Sequence, residues 1–231
     1  MNAVSPPMRV EKIGGALLYL GDCRDVIGTL RDIACVLTDP PFGIGYKSGH
    51  RTDALWSEDA IRGDEDVVTR DAALALFPPD LPMLVFGSRK APLPPRHKMT
   101  LTWDKGPALG MGNLSLPWKP STEEIYVLGK GFVGKRDEGA AIYHPPVQSM
   151  AKNGRRHPNE KPVGLLAKLL RKMPIGLVCD PFMGSASCGE AAVKMGRPFV
   201  GIESDPEYFR IACERMHRLT LQDDLWQGAI T

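Results

Sequence analysis

The chain has 231 residues, 43% of them hydrophobic and 24% charged, with a formal net charge of +2. This suits one large or two small soluble domains, and no apolar run approaches the roughly 20 residues of a membrane span. So small a net charge does not by itself argue for nucleic acid, so any such partner must be read from local clusters.

The opening MNAVSPPMRVEKIGG lacks the apolar core of a signal peptide, and a cytoplasmic protein is expected. In chain order, Ala16 to Asp22, Ile33 to Asp39, Met83 to Ser88, Leu177 to Phe182 and Pro198 to Glu203 are short apolar runs followed by polar or loop residues. Such runs suit strands buried on both faces of a parallel sheet. Helical spacing marks Val163 to Met173, with Pro162 at the first helical position, then Ser187 to Gly196 and Pro206 to Leu219. Strand–helix alternation over Leu177 to Leu219 predicts an α/β fold with a doubly wound, mostly parallel sheet. One domain spanning residues 1–231 is expected.

Three segments fit this pattern less well. Thr52 to Asp66 is acidic and reads as a solvated loop, and Ala91 to Lys98 is a stiff, proline-rich connection. Gly129 to His157 is Gly-rich and reads as irregular. Its six basic residues, Lys130, Lys135, Arg136, Lys152, Arg155 and Arg156, face only Asp137 and Glu138. A loop of that length has a functional reason or is disordered. The five cysteines (Cys23, Cys35, Cys179, Cys188, Cys213) are scattered, with no Cys-x-x-Cys pair. Core packing is expected of most of them, and neither a metal site nor a disulfide framework.

Two stretches carry chemistry. In VLTDPPFGIGY, Asp39, Pro40, Pro41 and Phe42 follow a strand directly: a carboxylate, two stiff residues and an aromatic ring. In CDPFMGSASCGEAA, Gly184 and Gly189 flank small residues between a strand and a helix, so a ligand can approach the backbone. The Lys-Ser/Thr of a phosphate loop is missing there, as is a complete Gly-x-Gly-x-x-Gly. Asp180 would repel a pyrophosphate but suits an ammonium group. Glu203, ending the next strand, is placed to accept hydrogen bonds from a ribose diol. S-adenosylmethionine has an ammonium, a diol and no phosphate.

With both motifs in view, the chain resembles the DNA amino-methyltransferases that alkylate adenine N6 or cytosine N4. Asp39-Pro40-Pro41-Phe42 matches the catalytic motif of that family, and Asp180 to Cys188 matches its cofactor motif. His157 to Pro162 (HPNEKP) resembles the segment preceding that motif, and Leu20 to Cys23 (LGDC) resembles the Gly-Asp opening. This order is that of the β group, and the resemblance spans about Leu17 to Leu219. Departures are Ala186 for the usual glycine, Ser187-Cys188 for Thr-Thr, and Phe42 for the commoner tyrosine.

The resemblance implies a Rossmann-like methyltransferase fold in circularly permuted motif order, with S-adenosylmethionine as cofactor and duplex DNA as partner. It implies catalytic roles for Asp39, Pro40, Pro41 and Phe42. It implies cofactor contacts from Asp22, Asp39, His157, Lys161, Asp180, Phe182, Gly184, Ser185, Ala186 and Glu203. The six basic residues of segment 129–157 become phosphate contacts in a short target-recognition insert. Trp103-Asp104-Lys105 resembles a weak motif facing the target base, with core packing for Trp103 an equal alternative. Because Asp begins the catalytic motif, adenine N6 is favoured over cytosine N4. A catalytically silent DNA-binding subunit and methyl transfer to RNA or protein stay open, as does a homodimer.

Overall fold

The computed structural model describes residues 9–43, 66–107, 115–147 and 160–228. In chain order the elements are β1 (Arg9–Ile13), β2 (Ala16–Leu20), α1 (Cys23–Ile27), β3 (Ile33–Thr38), α2 (Val68–Ala75), β4 (Met83–Gly87), β5 (Met99–Asp104), β6 (Thr122–Leu128), β7 (Ala141–Tyr143), α3 (Val163–Leu170), β8 (Leu177–Asp180), α4 (Ser187–Lys194), β9 (Phe199–Glu203) and α5 (Pro206–Gly228). The nine strands form one sheet in the order β1-β2-β9-β8-β3-β4-β6-β5-β7. Neighbours from β2 through β4 are parallel, as are β5 and β7. Strand β6 runs antiparallel to both β4 and β5, and β1 antiparallel to β2.

The expected doubly wound, mostly parallel sheet is therefore present, and strand periodicity explains why it is doubly wound. In β3, Cys35 and Leu37 join the core under α3, α4 and α5, and Val36 joins the core under α1 and α2. Because side chains alternate across a strand, a continuous apolar run such as IACVL buries both faces. Cys23, Cys35, Cys179 and Cys188 are buried free thiols, as core residues would be.

Strands β1, β6 and β7 and helices α1 and α2 were not anticipated. Helix α1 has only five residues, and β6 opens on Thr122, Glu123 and Glu124, which hide an otherwise apolar strand. Segment 129–157 is not irregular throughout: β7 lies within it, pairing with β5 from Thr102 to Asp104. That edge pairing supplies hydrogen bonds the local sequence does not advertise. Pro162 caps α3 with an extended ψ of 127°, one residue before the helix, and accepts from the Leu166 N–H. The acidic stretch 52–66 lies outside the described residues except for Asp66.

A buried guanidinium fastens the helices on one face. Arg215 of α5 donates to Ser187 at 2.6 Å and to Glu160, and lies 3.5 Å from Glu190 of α4. The Arg215 and Glu160 side chains are 6% and 9% exposed, so the pair is largely withdrawn from water. Removing Arg215 takes a buried counter-charge away from both Glu160 and Glu190. Arg215→Leu is expected to cost about 3–5 kcal/mol, read as a lower midpoint in urea denaturation.

Candidate active site

Strand direction collects the site. The carboxyl ends of β2, β9, β8, β3 and β4 share one edge of the sheet, where ligands of open α/β sheets sit. Because β6 is reversed, its amino end, with Glu123, falls at the same edge, next to the carboxyl end of β5.

One half of this edge is lined by acids. Asp22 follows β2 and caps α1, accepting from the Arg24 backbone N–H at 2.8 Å while the Arg24 guanidinium grips both its oxygens. That guanidinium holds the Asp22 carboxyl below the usual carboxylate range. Glu203 ends β9; its Oε2 accepts from Gly184 N–H at 2.9 Å and its Oε1 from Asp205 N–H at 2.8 Å. Each oxygen keeps a further lone pair, and burial raises the group above its ordinary pKa. Asp180 ends β8 and is buried; its Oδ1 accepts from the Thr38 hydroxyl at 2.6 Å and from Phe182 N–H at 3.1 Å. Burial pushes the Asp180 carboxyl up to about 7, against these two hydrogen bonds.

Between β8 and α4 the chain turns tightly. Ala186 N–H donates to Met183 C=O at 2.8 Å, and Gly184 takes φ of 50°. Ala186 is fully buried at φ 60°, ψ 37°, a left-handed conformation that glycine adopts freely and alanine at a cost of about 1 kcal/mol. This is the backbone reason for glycine at that position in the resembled motif. Ser185 lies within this turn and Phe182 precedes it.

The other half is built around a buried ammonium. Lys161 Nζ lies 2.8 Å from Asp39 Oδ2 and 2.7 Å from Glu123 Oε1, with its side chain 8% exposed. It also sits 5.4 Å from the Phe42 ring centroid and 5.0 Å from that of Phe86, within cation–π range. Glu123 Oε2 pairs with Lys105 at 2.7 Å, and Lys105 lies over Trp103, 4.7 Å from its centroid. Among the described residues Asp39 Oδ1 is buried without a hydrogen-bond partner, as is Glu123 Oε1, whose 2.7 Å contact with Lys161 is an ion pair. Burial pushes the Asp39 carboxyl up to about 6, opposed by Lys161 and reinforced by the like charge of Glu123. Glu123 moves the other way, with Lys161 and Lys105 outweighing its burial. Pro40 is buried and Phe42 half-buried against the core under α3.

The structure thus brings together Asp22, Asp39, Pro40, Pro41, Phe42, Lys161, Asp180, Phe182, Gly184, Ser185, Ala186 and Glu203 along one sheet edge. His157, Lys152, Arg155 and Arg156 lie outside the described residues. Lys130, Lys135 and Arg136 are exposed and away from the acids; Lys130 pairs with Asp80 at 3.1 Å. Trp103 is core, donating its indole N–H to His144 C=O at 2.7 Å. Glu123 was not anticipated. Its one sequence signal is a pair of adjacent glutamates opening an apolar strand, where alternation turns one inward. Beyond Asp104 opens a cleft of about 530 Å³ lined in part by Pro117, Lys119 and Trp118, the last 78% exposed.

Comparison with known proteins agrees with this layout. The pattern of the N6/N4 DNA methylase family matches residues 96–214, just over half the chain. The protein YubD of Escherichia coli (strain K12) is 28% identical over 232 aligned residues, covering 90% of this chain and 92% of YubD. The M1.HpyAVI–SAM complex superposes with a TM-score of 0.61 at 21% identity, covering 87% of this chain and 98% of that one. The cytosine-N4-specific PvuII DNA methyltransferase gives a TM-score of 0.62 at 16% identity, with 89% of each chain covered. The fold and this edge define a Rossmann-like methyltransferase. The chain belongs to the N6/N4 DNA methylase family.

Asp180 offers a test of the edge electrostatics. Its folded pKa is raised, so its contribution to stability is complete below the unfolded value of 3.8 and is lost as pH rises through about 7. Asp180→Asn keeps an acceptor for Thr38 and cannot ionise. The melting temperature of the variant relative to wild type is therefore expected to rise between pH 5 and pH 8.5, as measured by thermal scans at both values.

Proposed function

We propose that this chain is an S-adenosylmethionine-dependent DNA methyltransferase acting on the exocyclic amino group of adenine, N6. The observation that carries this reading is Asp39: one oxygen anchored by Lys161, the other buried, unpaired and next to an aromatic ring. An exocyclic amino group has two N–H donors and a lone pair delocalised into its base. Asp39 Oδ1 accepts one N–H and the Pro40 carbonyl the other, which favours a pyramidal nitrogen with its lone pair directed outward. Asp39 also balances the positive charge growing on nitrogen and takes up the released proton, directly or through water. Phe42 stacks on the base, a contact of about 1–3 kcal/mol by analogy with single-strand binding. The base must leave the duplex to reach this depth.

The acidic half of the edge fits the donor. When bound, S-adenosylmethionine supplies an electrophilic sulfonium methyl. Asp180 suits its ammonium, Glu203 its ribose diol and Asp22 its adenine, while the turn through Gly184, Ser185 and Ala186 lets it approach the backbone. Phe182, Lys161 and His157 complete the proposed set. Three carboxylates on adjacent strands suit a ligand with no phosphate.

In this reading residues 1–231 form a single catalytic domain, and segment 129–157 is its target-recognition insert. Lys152, Arg155 and Arg156 there contact phosphates, which positions DNA without reading sequence, whereas Lys130, Lys135 and Arg136 lie toward the opposite edge of the sheet, Lys130 beside Asp80 ahead of β4 and Lys135 beside Lys172 after α3. The cleft by Trp118 and Lys119 opens beside the same edge and suits an unstacked base with its backbone.

Transfer of labelled methyl to unmethylated duplex DNA, followed by nucleoside analysis, is expected to yield N6-methyladenine. N4-methylcytosine would sink the adenine assignment, and no product would favour a silent DNA-binding subunit. Asp39→Ala should bind donor and lose at least about 100-fold in turnover. The wild-type rate should fall with pH below about 6, where Asp39 protonates. Replacing Arg155 and Arg156 together by Ala should flatten the salt dependence of duplex binding by roughly 1–2 in log–log slope; an unchanged slope removes them from the phosphate contacts.

A further inference from the structure

Four charged side chains from separate segments meet behind the reactive carboxylate: Asp39 after β3, Lys161 before α3, Glu123 at the start of β6 and Lys105 after β5. They form a neutral chain, Asp39–Lys161–Glu123–Lys105, with links of 2.8, 2.7 and 2.7 Å. For anchoring Asp39 alone, Lys161 would suffice. A second carboxylate, only 12% exposed, adds its own desolvation cost, and structural economy does not call for it.

An ammonium has three donors and no fixed fork, so beside a lone carboxylate it is free to move over both oxygens. Here Glu123 Oε1 forms a second ion pair with Lys161 at 2.7 Å, and the shortest contact of Lys161 with Asp39 is to Oδ2 at 2.8 Å. Among the described residues, Asp39 Oδ1 is left buried and without a hydrogen-bond partner. Lys105 holds Glu123 in turn through its other oxygen. We infer that Glu123 is a positioning residue for methyl transfer: it restrains Lys161 so that one Asp39 oxygen is fixed and the other stays free for the substrate amino group.

This inference rests on the methyl-transfer reading above. Among the described residues, the charged groups facing Asp39 are Lys161, Glu123 and Lys105, with Asp180 from neighbouring β8. Asp180 is the same in every variant below, so the comparison isolates the chain of pairs. Removing the Glu123 charge takes a like charge away from Asp39 and leaves Lys161 to it alone. Both changes favour the ionised carboxylate.

The test is a carboxyl-carbon NMR titration of isotope-labelled aspartates in the protein without donor or DNA, the Asp39 signal being assigned by its loss in Asp39→Asn. In Glu123→Gln the Asp39 midpoint is expected to move down by about one pH unit. In Lys105→Met, which removes a distant cation, it should move up. With DNA and donor, Glu123→Gln should lower kcat about tenfold or more while KM for DNA holds, with the acidic limb of the rate profile shifted the same way. Glu123→Asp should recover part of the rate. Unmoved Asp39 midpoints in both variants, or a rate loss without a shifted limb, would reduce Glu123 to a structural role and overturn the inference. An inactive wild type would overturn the methyl-transfer reading instead, and the titration would still decide whether Glu123 governs Asp39.

Discussion

An ammonium group almost wholly withdrawn from water needs close anions, and at Lys161 two carboxylates from different strands provide them. Neither can leave without stranding a buried charge. The constraint ties the segment before α3 to the residue after β3 and to the amino end of β6. It also explains why Asp39 is neither an ordinary surface acid nor a fully neutralised one. Burial raises its proton affinity, Lys161 lowers it and Glu123 raises it again, leaving the group near 6, where a carboxylate is ionised at neutral pH yet still takes a proton.

Strand polarity makes that meeting possible. A sheet with only parallel strands would present carboxyl ends alone along this edge. Because β6 is inserted antiparallel between β4 and β5, Glu123 near its amino end reaches the place where its neighbours finish. The acidic half depends instead on parallel neighbours, β2, β9 and β8, whose ends set Asp22, Glu203 and Asp180 side by side. Ala186 carries a small backbone cost there, and the buried fastening of Arg215 to Ser187 and Glu160 holds the same loop and helix in place. Local strain persists where the surroundings over-determine it.

Much of this was legible before any coordinates. Asp39 to Phe42 and Asp180 to Ala186 are contiguous, so their chemistry and spacing are visible in the chain, and each follows an apolar run that reads as a strand. Glu203 and Asp22 mark strand ends in the same way. Strands β1 and β7 were harder to see because edge strands bury little. The short strand within 129–157 forms because β5 offers it a partner, not because its own residues demand extension.

The α/β class, the doubly wound sheet and the two motifs are readable along the chain, because periodicity and adjacency are properties of sequence neighbours. Tertiary structure alone decided that Lys161 would be shared between Asp39 and Glu123, residues 84 positions apart in sequence. It also decided which Asp39 oxygen would be free. Strand order and direction set both results, and a charge that looks solvated in the chain becomes obligate once burial removes water as its partner.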